Sequence, residues 1–238
     1  MSSVPASTIY LGLDVHKESI TIAVLPEGAS APTRVERHPN DLAKLRRFCE
    51  RLTAGGAVLR ACYEASGAGY VIHRVLTSWG YHCDVIAPSL IPTKPGVQRK
   101  HDKHDAAQLA RLYRAGELTT IRIPTEAEER VRDVVRCRET FQREILKSRH
   151  YILKFLARRG FVYRDGTNWS QAHYHWLRQL SHPTSPLAPE DRRVFGEYLG
   201  LLEYELSRRD ALDAEITQLA LLPAVAEAVQ RLQCFRGI

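Results

Sequence analysis

The segment Lys100–Gln108 reads KHDKHDAAQ and opens a run with helical spacing. Residues three apart lie on one face of a helix, so Asp102 and Asp105 are placed to reach a common cation. Two further acids stand out by position. Asp14 closes the β-rich run IYLGLD, Glu64 closes AVLRACYE, and turn-forming residues follow each. In open α/β sheets, ligands gather beyond the carboxyl ends of the strands. Were these two strands neighbours, both carboxylates would enter one crevice, and the helix opening at Asp102 would complete it. Four carboxylates at one point repel and protonate unless a cation compensates. Oxygen-only donors favour Mg2+ or Mn2+ over Zn2+. Two such ions about 4 Å apart can activate an attacking oxygen and stabilise a leaving one on phosphate.

Each residue also has a plainer reading. Asp102 suits a helix N-cap, and Asp105 suits the positive end of the helix dipole. Asp14 can start a hairpin turn, and Glu64 can cap the turn at Ala65-Ser66-Gly67. Ser66 reads as a cap, not a nucleophile. His16, His101 and His104 read as solvent-facing or close to phosphate, because Mg2+ seldom takes imidazole. Only the ordered combination favours the chemical reading: a hairpin strand with Asp, a strand with Glu, then a helix with D-x-x-D.

The elements that must position these acids follow from periodicity. IYLGLD (9–14) and SITIAVL (19–25) read as a hairpin across a polar HKE turn. HPNDLAKLRRFCERL carries helical spacing at Leu42, Leu45, Phe48 and Leu52, and Gly55-Gly56 ends it. A strand at 57–66, a short helix between Gly69 and Gly80, and a strand at 81–88 follow. The stretch SLIPTKPGVQRK reads as a loop, residues 106–116 as a helix closed by Gly116, and LTTIRIP as a further short strand. Strands alternating with helices make this half α/β, and the opening hairpin makes its sheet mixed.

After Pro124 the texture changes. Thr125 and Glu128 form a T-x-x-E capping box. Apolar residues then recur at Ala127, Val131, Val134, Phe141, Ile145, Ile152 and Phe155, with Arg138 and Ser148 filling the seam. This helix is expected to run to Arg159-Gly160, about 50 Å at 1.5 Å per residue. SQAHYHWLRQL is a short helix. A second long helix runs from Pro189 towards Leu221 with Phe195, Leu199, Leu202 and Leu206 on one stripe; Pro223 interrupts it before a final helical stretch. The two long helices pack antiparallel, either on each other or across a dimer. The domain reading is therefore 8–123 for the α/β part and 124–238 for the helical, coiled-coil part.

Bulk properties narrow the function. The chain has 238 residues and a formal charge of +7, which suits a polyanionic partner. Five scattered cysteines with no C-x-x-C spacing argue against a zinc module and a disulfide scaffold. No long apolar run and no signal peptide are seen, so the expectation is a cytoplasmic protein without a membrane partner. Lys94, Arg99, Lys100 and Lys103 border the D-x-x-D motif and would hold phosphates near an ion. Lys147, Arg149, Lys154, Arg158 and Arg159 lie in a stretch without acids, which favours phosphate contact. Tyr151, Tyr163 and Trp169 could stack on unpaired bases, although core packing is the simpler role for each.

GLDVHK, YEASG and KHDKHDAAQLARL, followed by the long helical segment, resemble the DEDD transposases of the insertion-sequence one-ten family. The resemblance runs from about residue 8 to the end. It implies an RNase H-like, RuvC-like mixed sheet flanked by helices, followed by a coiled-coil segment. It also implies a catalytic, Mg2+- or Mn2+-binding quartet of Asp14, Glu64, Asp102 and Asp105. The implied activity is DNA cleavage and rejoining during transposition, guided by a structured noncoding RNA, in a homo-oligomer joined through the helical segment. In that family a serine-bearing domain follows, and no serine here matches its nucleophile. The chain is thus expected to bind Mg2+ and nucleic acid without completing recombination alone. Two alternatives keep part of this reading: a stand-alone RuvC-like endonuclease or resolvase, and a non-catalytic nucleic-acid-binding dimerisation module. An HD-type phosphohydrolase, suggested by the two His-Asp pairs, conflicts with the strand-rich first half.

Overall fold

The computed structural model describes residues 7–92 and 102–235 and divides into two units, 1–123 and 124–238. In the first unit the hairpin forms as its alternation requires, with β1 (Thr8–Val15) antiparallel to β2 (Ser19–Pro26). The two strands join through a tight turn in which the His16 N–H donates to the Ser19 carbonyl at 2.8 Å. A strand absent from the sequence reading follows: β3 (Arg34–Pro39) pairs with β2. Its RVERHP sequence carries a single aliphatic residue, which suits an exposed edge strand and hides its period. Helix α1 (Leu42–Thr53) is capped by Asp41, whose side chain accepts from the Lys44 N–H. Then come β4 (Val58–Glu64), α2 (Val71–Ser78) and β5 (His82–Ile86). Strands β4 and β5 lie parallel to β1, giving the sheet order β3-β2-β1-β4-β5. This mixed α/β sheet is compatible with an RNase H-like fold. The strand expected at LTTIRIP reduces to one isolated bridge between Ile86 and Thr120.

Alternation along the strands sorts the side chains by face. Leu11, Leu13, Ile20, Ile22, Tyr63 and Val85 point towards α1 and α2 and form the larger core. The opposite face carries Ala23, Leu25 and Cys62, and helix α3 (Asp102–Ala115) covers it through Ala106, Leu109 and Ala110. Gly12 lies beneath this helix. A Cβ there would strike the Ala106 carbonyl oxygen and come within 2.5 Å of the Ala110 nitrogen, so glycine is what lets backbone meet backbone. The far end of α3 is tied down by Tyr113, whose hydroxyl donates to Asp84 at 2.5 Å, and by Arg114, which donates to the Glu27 and Ala29 carbonyls.

In the second unit, α4 (Glu126–Ala157) starts at the capping box that the sequence indicates, with both reciprocal hydrogen bonds formed between Thr125 and Glu128. Helix α5 (Gln171–Ser181) follows, capped by Ser170, and then α6 (Pro189–Leu219) and α7 (Pro223–Gln233). The long helices pack on each other within the chain. Arg138 pairs with Asp213 at 2.7 Å and Arg159 with Asp191 at 2.6 Å, an antiparallel arrangement. Ile145, Ile152, Phe155, Phe195, Leu199 and Leu202 are buried along the seam. Of the two packings the sequence allowed, the intramolecular hairpin is the one formed.

Candidate metal and nucleic-acid site

Glu64 is the last residue of β4 and Asp14 the penultimate residue of the adjacent, parallel β1, each one residue beyond the paired Leu13 and Tyr63. Both line one cleft of about 700 Å³ at that edge, together with His16, Lys17, Asn40 and Ser66. The Asp14 carboxylate is 21 % exposed and lies 3.1 Å from His16 Nε2. Asn40 donates to the His16 carbonyl at 2.9 Å and so braces the hairpin turn from the other side. Ser66 accepts from the Ala68 N–H at 3.2 Å, which is the turn-capping role expected of it.

Helix α3 runs opposite to β1. Tyr113 meets Tyr10 near the strand's start, and Ala106 and Ala110 cover Gly12. The first turn of α3 is therefore directed towards the end of β1 that carries Asp14. Residue 102 is one helical turn before Ala106, and Asp105 one turn before Leu109. Asp14 lies two residues beyond Gly12, and Glu64 two beyond Cys62, whose Sγ contacts the Leu109 carbonyl at 3.8 Å. Backbone placement thus sends all four acid positions to one end of one sheet face. The side chains do not all follow. Asp105 is half-buried and does not line the cleft. Among the described residues, no three His, Cys, Asp or Glu side chains converge closely enough to hold an ion. The side chains of Asp102 and Lys103 lie outside the described set, as do Lys94, Arg99, Lys100 and His101. The donor chemistry of the cleft nevertheless fits a hard cation, since its two acids offer oxygen ligands only. The thiols take no part: burial pushes Cys49 and Cys83 up to about 12, and Cys62 well above its ordinary value.

The DEDD transposase profile of the insertion-sequence one-ten (IS110) type, described as a transposase, matches residues 11–159. The chain belongs to the IS110-type DEDD transposase family. It is similar to the transposase for insertion sequence element IS1533 of Leptospira borgpetersenii, 32 % identical over 232 residues. That match covers 97 % of this chain and 66 % of the relative. It is also similar to the putative transposase y4qE of Sinorhizobium fredii, 36 % identical over 186 residues, covering 76 % of this chain and 47 % of that relative. The chain therefore spans about two thirds and about half of these two relatives. The family match contains Asp14, Glu64, Asp102 and Asp105 and ends just past α4.

The basic residues of the helical unit divide into engaged and outward-facing groups. Lys147 pairs with Glu144 at 2.8 Å. Arg149 sits 5.0 Å over the Trp169 ring and donates to the Tyr174 hydroxyl. Arg159 is tied to Asp191 and holds that carboxyl below its ordinary range. Arg149 and Arg159 are thus engaged within the helical unit, while Lys147 stays exposed beside a partner one turn away; Arg159 finds its partner on another helix and Arg149 an aromatic ring, which local sequence does not reveal. Lys154 and Arg158 are exposed. Tyr163 and Trp169 pack against buried His173 at 4.9 Å each, which is a core role; Tyr151 is 54 % exposed. No helix among the described residues is long and apolar enough to cross a membrane.

Sequence reasoning did not single out Lys17, Asn40 or Thr21 as part of this neighbourhood. The signal for Thr21 was present. A two-residue hairpin loop at Lys17-Glu18 fixes the register and places Thr21 opposite Asp14.

Proposed function

We propose that this chain is the ion-holding and nucleic-acid-binding part of a DNA transposase with an RNase H-like first domain, spanning 8–123, and a coiled-coil arm, spanning 124–238. Asp14, Glu64, Asp102 and Asp105 hold Mg2+ or Mn2+, which supplies Lewis-acid stabilisation of charge on DNA phosphate. The observation that carries this reading is the meeting of Asp14 and Glu64 in one cleft at the ends of adjacent parallel strands, with the D-x-x-D helix directed to the same end. The test separates binding from cleavage. The chain is incubated with DNA from the ends of its element, with and without Mg2+. Ion-dependent retention or nicking that Asp14→Ala and Glu64→Ala abolish supports the proposal. Binding indifferent to the ion, or cleavage that survives both substitutions, contradicts it.

Nucleic acid, whether element DNA or a structured guide RNA, contacts the basic residues that precede α3 in sequence and the outward-facing end of α4. Lys154→Ala with Arg158→Ala is expected to weaken binding and to reduce the slope of log K against log salt by about 2. Arg159 is left intact in this variant because its ion pair joins α4 to α6. An unchanged slope would remove these two residues from the contact.

The helical arm also presents a surface suited to a second copy of the chain. Val194, Leu201 and Tyr204 form an exposed stripe on α6, at 44, 46 and 58 % exposure, on the side not used by the hairpin seam. Laid antiparallel on its own copy with Leu201 opposite Tyr204, this stripe sets Glu197 opposite Arg208 and Val194 opposite Ala211. The two ends are thus complementary in charge and the centre is apolar. Sedimentation velocity is expected to give a dimer that Leu201→Glu with Tyr204→Glu converts to monomer. An unchanged mass would assign the stripe no role in assembly.

A further inference from the structure

We propose that Thr21 is a positioning residue for the ion site, its hydroxyl donating to the Asp14 carboxylate when an ion is held there. Thr21 lies directly across from Asp14 in the antiparallel pairing of β1 and β2. Opposed residues of such a pair project from the same sheet face, with Cβ atoms about 4.5–5.5 Å apart. The threonine is 1 % exposed, and its Oγ1 is buried with no hydrogen-bond partner. A buried unsatisfied hydroxyl is destabilising, and each one in a folded protein calls for an explanation.

The surroundings of Thr21 supply no structural explanation. On the same face its strand continues with Ala23 and Leu25 packed against Ala106 and Ala110, all apolar partners. Across the other edge lies Arg37, whose Nε donates to Ser19 at 3.0 Å and not to Thr21. Valine has the same shape, favours strands and would fill this position without an orphaned group. Polar groups around a metal centre orient the ligands directly bound to it, and their loss typically costs 10–100-fold in ion affinity. Thr21 has the position and the unused donor for that role. The same register predicts that serine, which keeps the hydroxyl, retains the effect.

This inference rests on Asp14 being an ion ligand, and the experiment keeps the two claims apart. Mn2+ affinity is measured by titration calorimetry, and thermal stability in chelator, for the unaltered chain, Thr21→Val, Thr21→Ser and Asp14→Ala. Thr21→Val is expected to bind Mn2+ about tenfold more weakly while its stability without ion is equal or higher. Thr21→Ser is expected to restore most of the affinity. If Asp14→Ala abolishes binding and Thr21→Val leaves it unchanged, the hydroxyl has no role at the ion and the inference is overturned. Should Asp14→Ala itself leave Mn2+ affinity intact, the underlying site is wrong and the inference falls with it. Loss of stability in Thr21→Val without ion would mark the hydroxyl as a structural group and also overturn the proposal.

Discussion

Asp14→Ala is expected to lower Mn2+ affinity by more than about 100-fold, beyond the cost of losing an outer-shell partner of a metal. The physical reason is the shape of the cleft. Asp14 is the more enclosed of its two acids and sits where the parallel strands, the hairpin turn and the α3 direction meet. Removing it would leave Glu64 as the one carboxylate lining the cleft among the described residues. The same substitution relieves repulsion between acids in the ion-free chain, so the folded state in chelator should be at least as stable as before. The unaltered chain should gain thermal stability as Mn2+ is added, because an ion bound only by the folded form stabilises it by mass action. Asp14→Ala should lose that gain. Scanning fluorimetry across an Mn2+ titration measures both effects, and an undiminished ion-dependent rise would rule Asp14 out as a ligand.

The second large effect concerns Gly12→Ala. One methyl group would collide with the Ala106 carbonyl and the Ala110 nitrogen, both backbone atoms that cannot rotate away. Helix α3 must lift from the sheet or β1 must bend, and Ala23, Leu25 and Cys62 lose their cover. We expect a destabilisation of about 3 kcal/mol, the upper part of the usual range for overpacking, and a Tm lower by roughly 10 °C. Because the same helix carries the D-x-x-D turn, Mn2+ affinity should fall with it even where the variant remains folded. Gly28→Ala serves as the control, since nothing lies near that Cβ. A Gly12→Ala chain as stable as this control would show that α3 does not rest on β1 as described.

The contrast between these two residues explains how much of the molecule was legible in its sequence. Strands β1, β2, β4 and β5 and the long helices declared themselves through apolar period and turn chemistry. Gly12 did not, because a close approach between a helix and a sheet leaves no periodic trace. Strand β3 escaped because an edge strand with alternating charges carries little hydrophobic signal. The acids Asp14 and Glu64 were legible as strand ends, and their adjacency follows from parallel pairing that single-strand patterns cannot supply. Arg159 shows the same limit in reverse. Its partner Asp191 lies on a separate helix, so the local absence of acids says nothing about its charge balance. Thr21 shows the remaining gap: hairpin register was available from the turn length, but an orphaned hydroxyl is visible only once burial is known.

Anomalous diffraction from crystals grown with Mn2+ bears most directly on the claim that acids distant in sequence share one cation. A peak is expected about 2 Å from carboxylate oxygens of both Asp14 and Glu64, with an aspartate of the α3 first turn completing the shell. Mn2+ bound elsewhere, with those two carboxylates uncoordinated, would contradict it.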